Sequence, residues 1–220
     1  MFQKFLSYFI PINILNQKSL INKSIEVNWN NGQLVLDTKN TNYSYGSLQR
    51  ILRMGLQEIG LSKIREFDKI LILGVAGGSV IKTLVNEIGY KGKIIGIEID
   101  PEIIEIANEY FNLNKIKSLE IIIEDAVSFV ENSKQLFDLI VIDIFQDNFM
   151  PFFLFDEEFA FSTAKILSKN GHIIFNTMVT KKSEEVRNLE YISFFDENLF
   201  EISKISKLEK FNELIIIKKL

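Results

Sequence analysis

Between Lys69 and Asp100 the chain reads as strand, glycine turn, helix and second strand ending in acid, and few folds accommodate that order. Ile70-Leu71-Ile72-Leu73 is an uninterrupted apolar run, as in a strand covered on both faces. Gly74-Val75-Ala76-Gly77-Gly78-Ser79 follows, and Ile94-Ile95-Gly96-Ile97-Glu98-Ile99-Asp100 closes the unit about twenty residues after the turn. Gly74 allows a sharp turn off the strand. Ala76, Gly77 and Gly78 keep side chains out of the way, so that a ligand can approach bare backbone and the start of the helix at Ser79. Glu98 is then placed to accept hydrogen bonds from two ribose hydroxyls, the arrangement by which an α/β protein holds an adenosyl group. An ordinary tight turn from strand to helix would use the same glycines, and the acid at the end of the second strand is what separates the two readings.

Length and composition narrow the field. A chain of 220 residues, 47% of them hydrophobic, has enough apolar material for one large core with a small appendage and too much for disorder. It has no cysteine, which removes disulfides, thiolate metal sites and cysteine nucleophiles together and fits a reducing cytoplasm. Its single histidine, His172, lies in the apolar run Gly171-His172-Ile173-Ile174-Phe175 and reads as a hydrogen-bonded strand residue; no transition-metal site is expected. A net charge of −4 argues against a nucleic-acid surface. No apolar stretch is long enough to cross a bilayer. The segment Met1 to Ile10 carries one basic residue, meets Pro11 and lacks a small-residue cleavage site, so Met1 to Leu20 reads as an apolar arm packed on a partner subunit in a homodimer.

Two regions are expected. In residues 1–44, Ser24 to Trp29 and Gln33 to Asp37 alternate polar and apolar around Asn30-Asn31-Gly32, the signature of a β-hairpin appendage following the arm, with a polar linker from Thr38 to Ser44. In residues 45–220, a helix over 45–59 closed by Gly60 precedes strands at about 69–73, 94–99, 119–123, 137–142 and 171–176. Helices at about 78–89, 101–111, 126–132, 156–168 and 183–196 alternate with and follow them. Two closing strands, near 199–203 and 213–218, are joined too tightly to be parallel. The expected fold is a doubly wound, mostly parallel, seven-stranded Rossmann-like α/β sheet with a C-terminal antiparallel hairpin and a small N-terminal β-hairpin appendage.

Acidic residues recur at the C-terminal ends of successive strands, where open α/β sheets bind ligands. Glu98 and Asp100 follow the second strand, Asp125 the third and Asp143 the fourth. Asp125, ahead of Ala126, can cap a helix or accept the exocyclic amine of an adenine. Asp143 ends Phe137-Asp138-Leu139-Ile140-Val141-Ile142 and should face the crevice beside the glycine turn.

These residues resemble a known family. Gly74 to Ser79, Glu98-Ile99-Asp100, Glu124-Asp125-Ala126 and Asp143 are similar to the binding motifs of class I S-adenosylmethionine-dependent methyltransferases, in particular the spermidine synthase-like branch. Asp143 to Pro151, Phe155 to Phe159 and Asn170 to Asn176 match that branch in order and spacing, and the hairpin with Tyr45 matches its small β appendage. The resemblance implies Gly74, Ala76, Gly77, Gly78, Ser79, Glu98, Ile99, Asp125, Ala126 and Asp143 as cofactor-binding residues. Glu98 would hold the ribose, Asp125 the adenine, and Asp143 would lie near the reacting end.

The departures shape the functional expectation. Aminopropyltransferases of the branch carry an aspartate in the glycine loop where this chain has Gly77, and two aspartates three apart after the fourth strand where it has Asp143 and Asp147, four apart. Tyr45 matches a tyrosine of the polyamine site, but Gly46 and Ser47 replace the polar and acidic residues after it. Without the loop carboxylate, intact S-adenosylmethionine is the expected cofactor, and a methyltransferase acting on a small, partly apolar acceptor is the expected activity, with Asp143 and then Tyr45 as catalytic candidates. Phe145, Phe149, Phe152, Phe153 and Phe155 either line the acceptor pocket or belong to the core or a dimer contact. Aminopropyl transfer and a non-catalytic protein that keeps the fold are the two rivals.

Overall fold

The computed structural model describes residues 2–38, 42–146 and 149–220, with side chains at 42 and 43 left aside. It opens with α1 (Phe2–Leu6) and a four-stranded antiparallel sheet of β1 (Ile12–Gln17), β2 (Ile25–Asn30), β3 (Gln33–Asp37) and β4 (Asn42–Ser44). Asn31 and Gly32, at φ 48° and 76°, make the two-residue hairpin turn that the sequence specifies. The arm departs from expectation. Its residues 12–17 pair in antiparallel register with β2, Ile12 opposite Trp29 and Gln17 opposite Ile25, so backbone hydrogen bonding holds them in the same chain. Part of the expected 38–44 linker is likewise strand β4; positions 39–41 lie outside the described residues.

The rest of the chain contains α2 (Ser47–Ile59), α3 (Leu61–Arg65), β5 (Lys69–Leu73), α4 (Ser79–Lys82), a π-helical turn over Thr83–Ile88, β6 (Lys93–Glu98) and α5 (Pro101–Phe111). It continues through β7 (Leu119–Ile123), α6 (Ala126–Asn132), β8 (Phe137–Ile142), α7 (Glu157–Lys165), β9 (Leu167–Met178), α8 (Lys182–Ser193), β10 (Phe200–Leu208) and β11 (Asn212–Lys219). The seven strands order as β10-β11-β9-β8-β5-β6-β7. The five from β9 to β7 are parallel, and β10 and β11 add the antiparallel hairpin. The expected fold class is therefore the one observed.

Strand periodicity divides the core in two. Ile70 and Ile72 of β5 face a layer made by α2, α3, α4, the π-helical turn and part of α5, while Leu71 and Leu73 face α6, α7 and α8. All four are fully buried, which is why the run carries no polar residue. A third cluster joins Ile25, Val27, Val35 and Leu36 of the small sheet to Ile103, Ile106 and Phe111 of α5. His172 is buried, with Nε2 3.3 Å from Lys63 Nζ; burial first, and then Lys63 and Lys218, lower its pKa to about 4.

The single helix expected over 78–89 is split, because the Thr83 hydroxyl bonds back to the Ser79 carbonyl at 3.1 Å where the turn widens. The helix expected to reach residue 168 stops at Lys165, since Leu167 is drawn into register with Phe137 at the start of β9.

Candidate active site

The site lies where strand order reverses, between the C-terminal ends of β5 and β8. Gly74 turns the chain there at φ 90°, its N–H on the Ile97 carbonyl at 3.0 Å, and a Cβ would strike the Asp143 carbonyl. Only glycine lets the two strand ends close in this way. Gly74 and Ala76 line the crevice. Gly77, Gly78 and Ser79 lie behind it. A Cβ on Gly77 would come within 2.9 Å of Ser44 Cβ and 3.2 Å of the Tyr45 ring, one on Gly78 would enter Leu113, and the Ser79 N–H donates to Ser44 Oγ at 3.2 Å. The helix start that the sequence offered to a ligand is thus covered by the Ser44-Tyr45 segment.

Among the described acids that line the crevice, Glu98 accepts the most hydrogen bonds. Its Oε2 accepts from the N–H groups of Val75 and Ala76 at 3.2 and 3.1 Å, and Oε1 accepts from Ile99 and Asp100 at 3.0 and 3.2 Å. Burial pushes its pKa up, and the bonds from Ala76, Asp100 and Ile99 oppose that. Four donors fill the usual lone-pair positions of a carboxylate, so a ribose bound here must share or displace some of them. Ile99 and Ala126 line the same wall. Asp125 caps α6, its Oδ1 accepting from Val127 and Ser128 N–H at 2.9 and 3.1 Å, which realises the capping reading at that oxygen. Glu124 beside it accepts from Ser128 Oγ at 3.0 Å.

Asp143 sits at the other end of the crevice, its Oδ1 accepting from Asn176 Nδ2 at 2.9 Å. Asn176 Oδ1 in turn accepts from Asn212 Nδ2 at 3.0 Å. Burial raises the Asp143 carboxyl from 3.8 to about 7, with the Asn176 bond opposing. Asp147 lies outside the described residues.

Tyr45 is not on the crevice wall. Its ring, held at a positive φ of 73°, stacks on Phe111 at 4.8 Å, and its hydroxyl donates to the Gly77 carbonyl at 3.0 Å. It clamps the glycine loop from behind.

Phe145 and Phe153 line the crevice with Ile144, Pro151, Leu48 and Ile21, whereas Phe155 packs in the core against Phe175 and Tyr191 and Phe152 is exposed. The space between these walls is about 100 Å3 and opens to solvent. Sequence reasoning missed a strap over residues 19–22. Ser19 Oγ and Asn22 Nδ2 both donate to Asp100 Oδ2, at 2.5 and 2.6 Å, and Ile21 and Asn22 wall the crevice. No local pattern marks that strap, nor Asn212.

The spermine/spermidine synthase domain model matches residues 50–209. A polyamine aminopropyltransferase of Vibrio vulnificus is 31% identical over 133 residues, 59% of this chain and 44% of that protein. The chain thus matches less than half the length of such relatives. Among solved structures, the spermidine synthase from Thermotoga maritima superposes with a TM-score of 0.67 at 19% identity, over 95% of this chain and 73% of that one. Human methyltransferase-like protein 13 in complex with SAH superposes at 0.64 and 18% identity, over 80% and 83%. At those identities the structures show the fold alone, and the resemblance to class I methyltransferases holds at that level.

The expectation of a methyltransferase using intact S-adenosylmethionine is corrected by the family match and by the aminopropyltransferase relatives. The physical reason lies at Gly77, where Ser44 and Tyr45 occupy the space a side chain would need, so the missing carboxylate does not report the charge of the donor. The chain belongs to the spermine/spermidine synthase domain family.

Proposed function

We propose that the protein transfers an aminopropyl group from decarboxylated S-adenosylmethionine to an amine. One observation carries this reading: among the described residues the crevice is lined by four carboxylates, Glu98, Glu124, Asp125 and Asp143, and by no lysine or arginine. A donor with a sulfonium and a primary ammonium carries two positive charges and no negative one, which such walls attract. A carboxylate held 4 Å from one of these acids would be repelled by ~4 kcal/mol at an effective dielectric near 20. The family and the named relatives support the same donor.

In this reading Gly74 and Ala76 let the adenosyl group lie against backbone, Glu98 and Asp125 hold ribose and adenine, and Ile99 and Ala126 flank the base. Gly77, Gly78, Ser79 and Tyr45 act through the shape of the loop. Asp143 receives a proton from the attacking amine. The amine nitrogen forms a bond to the aminopropyl carbon as the carbon–sulfur bond breaks, and the electron pair stays on sulfur in 5′-methylthioadenosine. A group titrating near 7 suits that transfer. The apolar walls at Phe145 and Phe153 receive the methylene chain of the acceptor. A second copy of the chain covers the exposed aromatic side chains of the N-terminal segment, where Phe5 and Phe9 are 62% and 74% exposed.

Purified protein incubated with decarboxylated S-adenosylmethionine and a series of diamines tests the activity. Stoichiometric 5′-methylthioadenosine and an aminopropylated amine are expected. Formation of S-adenosylhomocysteine from the intact donor, with no methylthioadenosine from the decarboxylated one, would contradict it.

A further inference from the structure

The acidic crevice has a basic counterpart on another part of the molecule. An open groove of about 540 Å3 is bounded by Lys82, Lys91, Lys115 and Lys117, with Asn86, Asn112 and Ser118 between them and Val85, Tyr90, Phe111 and Ile116 as apolar lining. In a chain of net charge −4 this lining holds four lysines and no acid. None of the four forms an ion pair among the described residues, whereas the adjacent Lys93 is paired with Glu120 at 2.7 Å. Like charges gathered without counter-ions repel one another, and a bound anion removes that cost.

Two further features single the place out. One wall, Val85 and Asn86, belongs to the π-helical turn, a distortion that recurs at functional sites. Lys82, just before that turn, is half-buried, with Nζ 5.3 Å from the Tyr45 ring centre and 5.7 Å from that of Phe111. Burial lowers its pKa, and an anion beside it would favour the charged form. We propose that this groove is a second ligand site that takes a small organic polyphosphate, such as a nucleoside triphosphate. Its phosphates lie among Lys82, Lys91, Lys115 and Lys117, and its apolar body rests on Val85 and Ile116. The amides of Asn86 and Asn112 supply neutral donors or acceptors for that body.

The site is tested by calorimetric titration of the full chain with ATP, inorganic triphosphate, adenosine and a short RNA duplex. Salt is kept at about 0.15 M, where unspecific attraction is largely screened. Saturating 5′-methylthioadenosine keeps adenosyl ligands out of the acidic crevice, and its own binding is measured first, so failure there is read separately. ATP is expected to bind at one site, at least tenfold more tightly than triphosphate, with no binding of adenosine. Exchanging two exposed lysines, Lys115→Glu with Lys117→Glu, should weaken ATP at least tenfold and leave methylthioadenosine binding unchanged. The proposal is overturned by no ATP binding, by equal binding in the double variant, by triphosphate binding as tightly as ATP, or by RNA binding more tightly than either.

Discussion

A hydrogen bond between Asp143 and Asn176 joins the end of β8 to β9 at the crevice, Nδ2 donating to Oδ1 at 2.9 Å. Burial nevertheless holds the Asp143 carboxyl at about 7, well above its ordinary 3.8. The folded protein therefore binds a proton there that the unfolded chain has released. Stability from this group is complete below about pH 4, falls as pH rises between the two values, and is lost above about 7. Asp143→Asn should then melt at a higher temperature than wild type at pH 8, with the difference gone near pH 4. The same variant should lose about 100-fold or more in turnover, as expected for removal of a general base.

Asn176→Ala tests whether the hydrogen bond tunes that base. A bond to a charged group contributes ~1.5–3 kcal/mol, or ~1–2 pH units on the carboxyl. The bond favours the ionised form, so its loss moves the rising limb of the pH–rate profile to higher pH. Asn176→Asp is uninformative because it adds a second acid; Asn212→Ala, which frees Asn176 Oδ1, should show the same shift in smaller measure. A fall in rate with an unmoved limb would mean that Asn176 serves packing alone.

Gly77→Asp should not convert one donor preference into another. Its Cβ would stand 2.9 Å from Ser44 Cβ, so the Ser44-Tyr45 clamp must move, at ~1–3 kcal/mol. The expected result is a lowered melting temperature and comparable loss of binding for both forms of the donor. Tightened binding of the decarboxylated form, without loss of stability, would restore the electrostatic reading of this position.

Much of this architecture is legible in the sequence for physical reasons. Ile70 to Leu73 and Leu139 to Ile142 are buried on both faces, and strands of that kind declare themselves as unbroken apolar runs. Asn31-Gly32 fixes its turn through positive φ alone. Glu98 and Asp143 follow from strand ends, because the crevice is a property of the topology. What stayed hidden depends on contacts distant in sequence: Ile12 to Gln17 become a strand only because β2 offers a free edge, and Ser19 and Asn22 find Asp100 some eighty residues away. Gly77 shows the converse failure. Its place in a glycine loop was legible, but the Ser44 and Tyr45 side chains that fill the space beside it were not.

The N-terminal surface gives a prediction about assembly. Phe5 and Phe9 contact each other at 5.9 Å and otherwise face solvent. Replacing both with serine leaves β1 and the strap intact, so the fold should survive. Light scattering at micromolar concentration should show a dimer for the wild-type chain and a monomer for the variant; a monomeric wild type would contradict the assembly.

In the proposed reading, the four carboxylates of the crevice, with no lysine or arginine among its described lining, select a donor lacking a carboxylate of its own. Calorimetric titration of the same protein with decarboxylated and with intact S-adenosylmethionine, at about pH 8 where Asp143 is ionised, measures that selection directly. The decarboxylated donor should bind at least tenfold more tightly, a difference of about 1.4 kcal/mol. Equal affinities, or tighter binding of the intact donor, would contradict this selection.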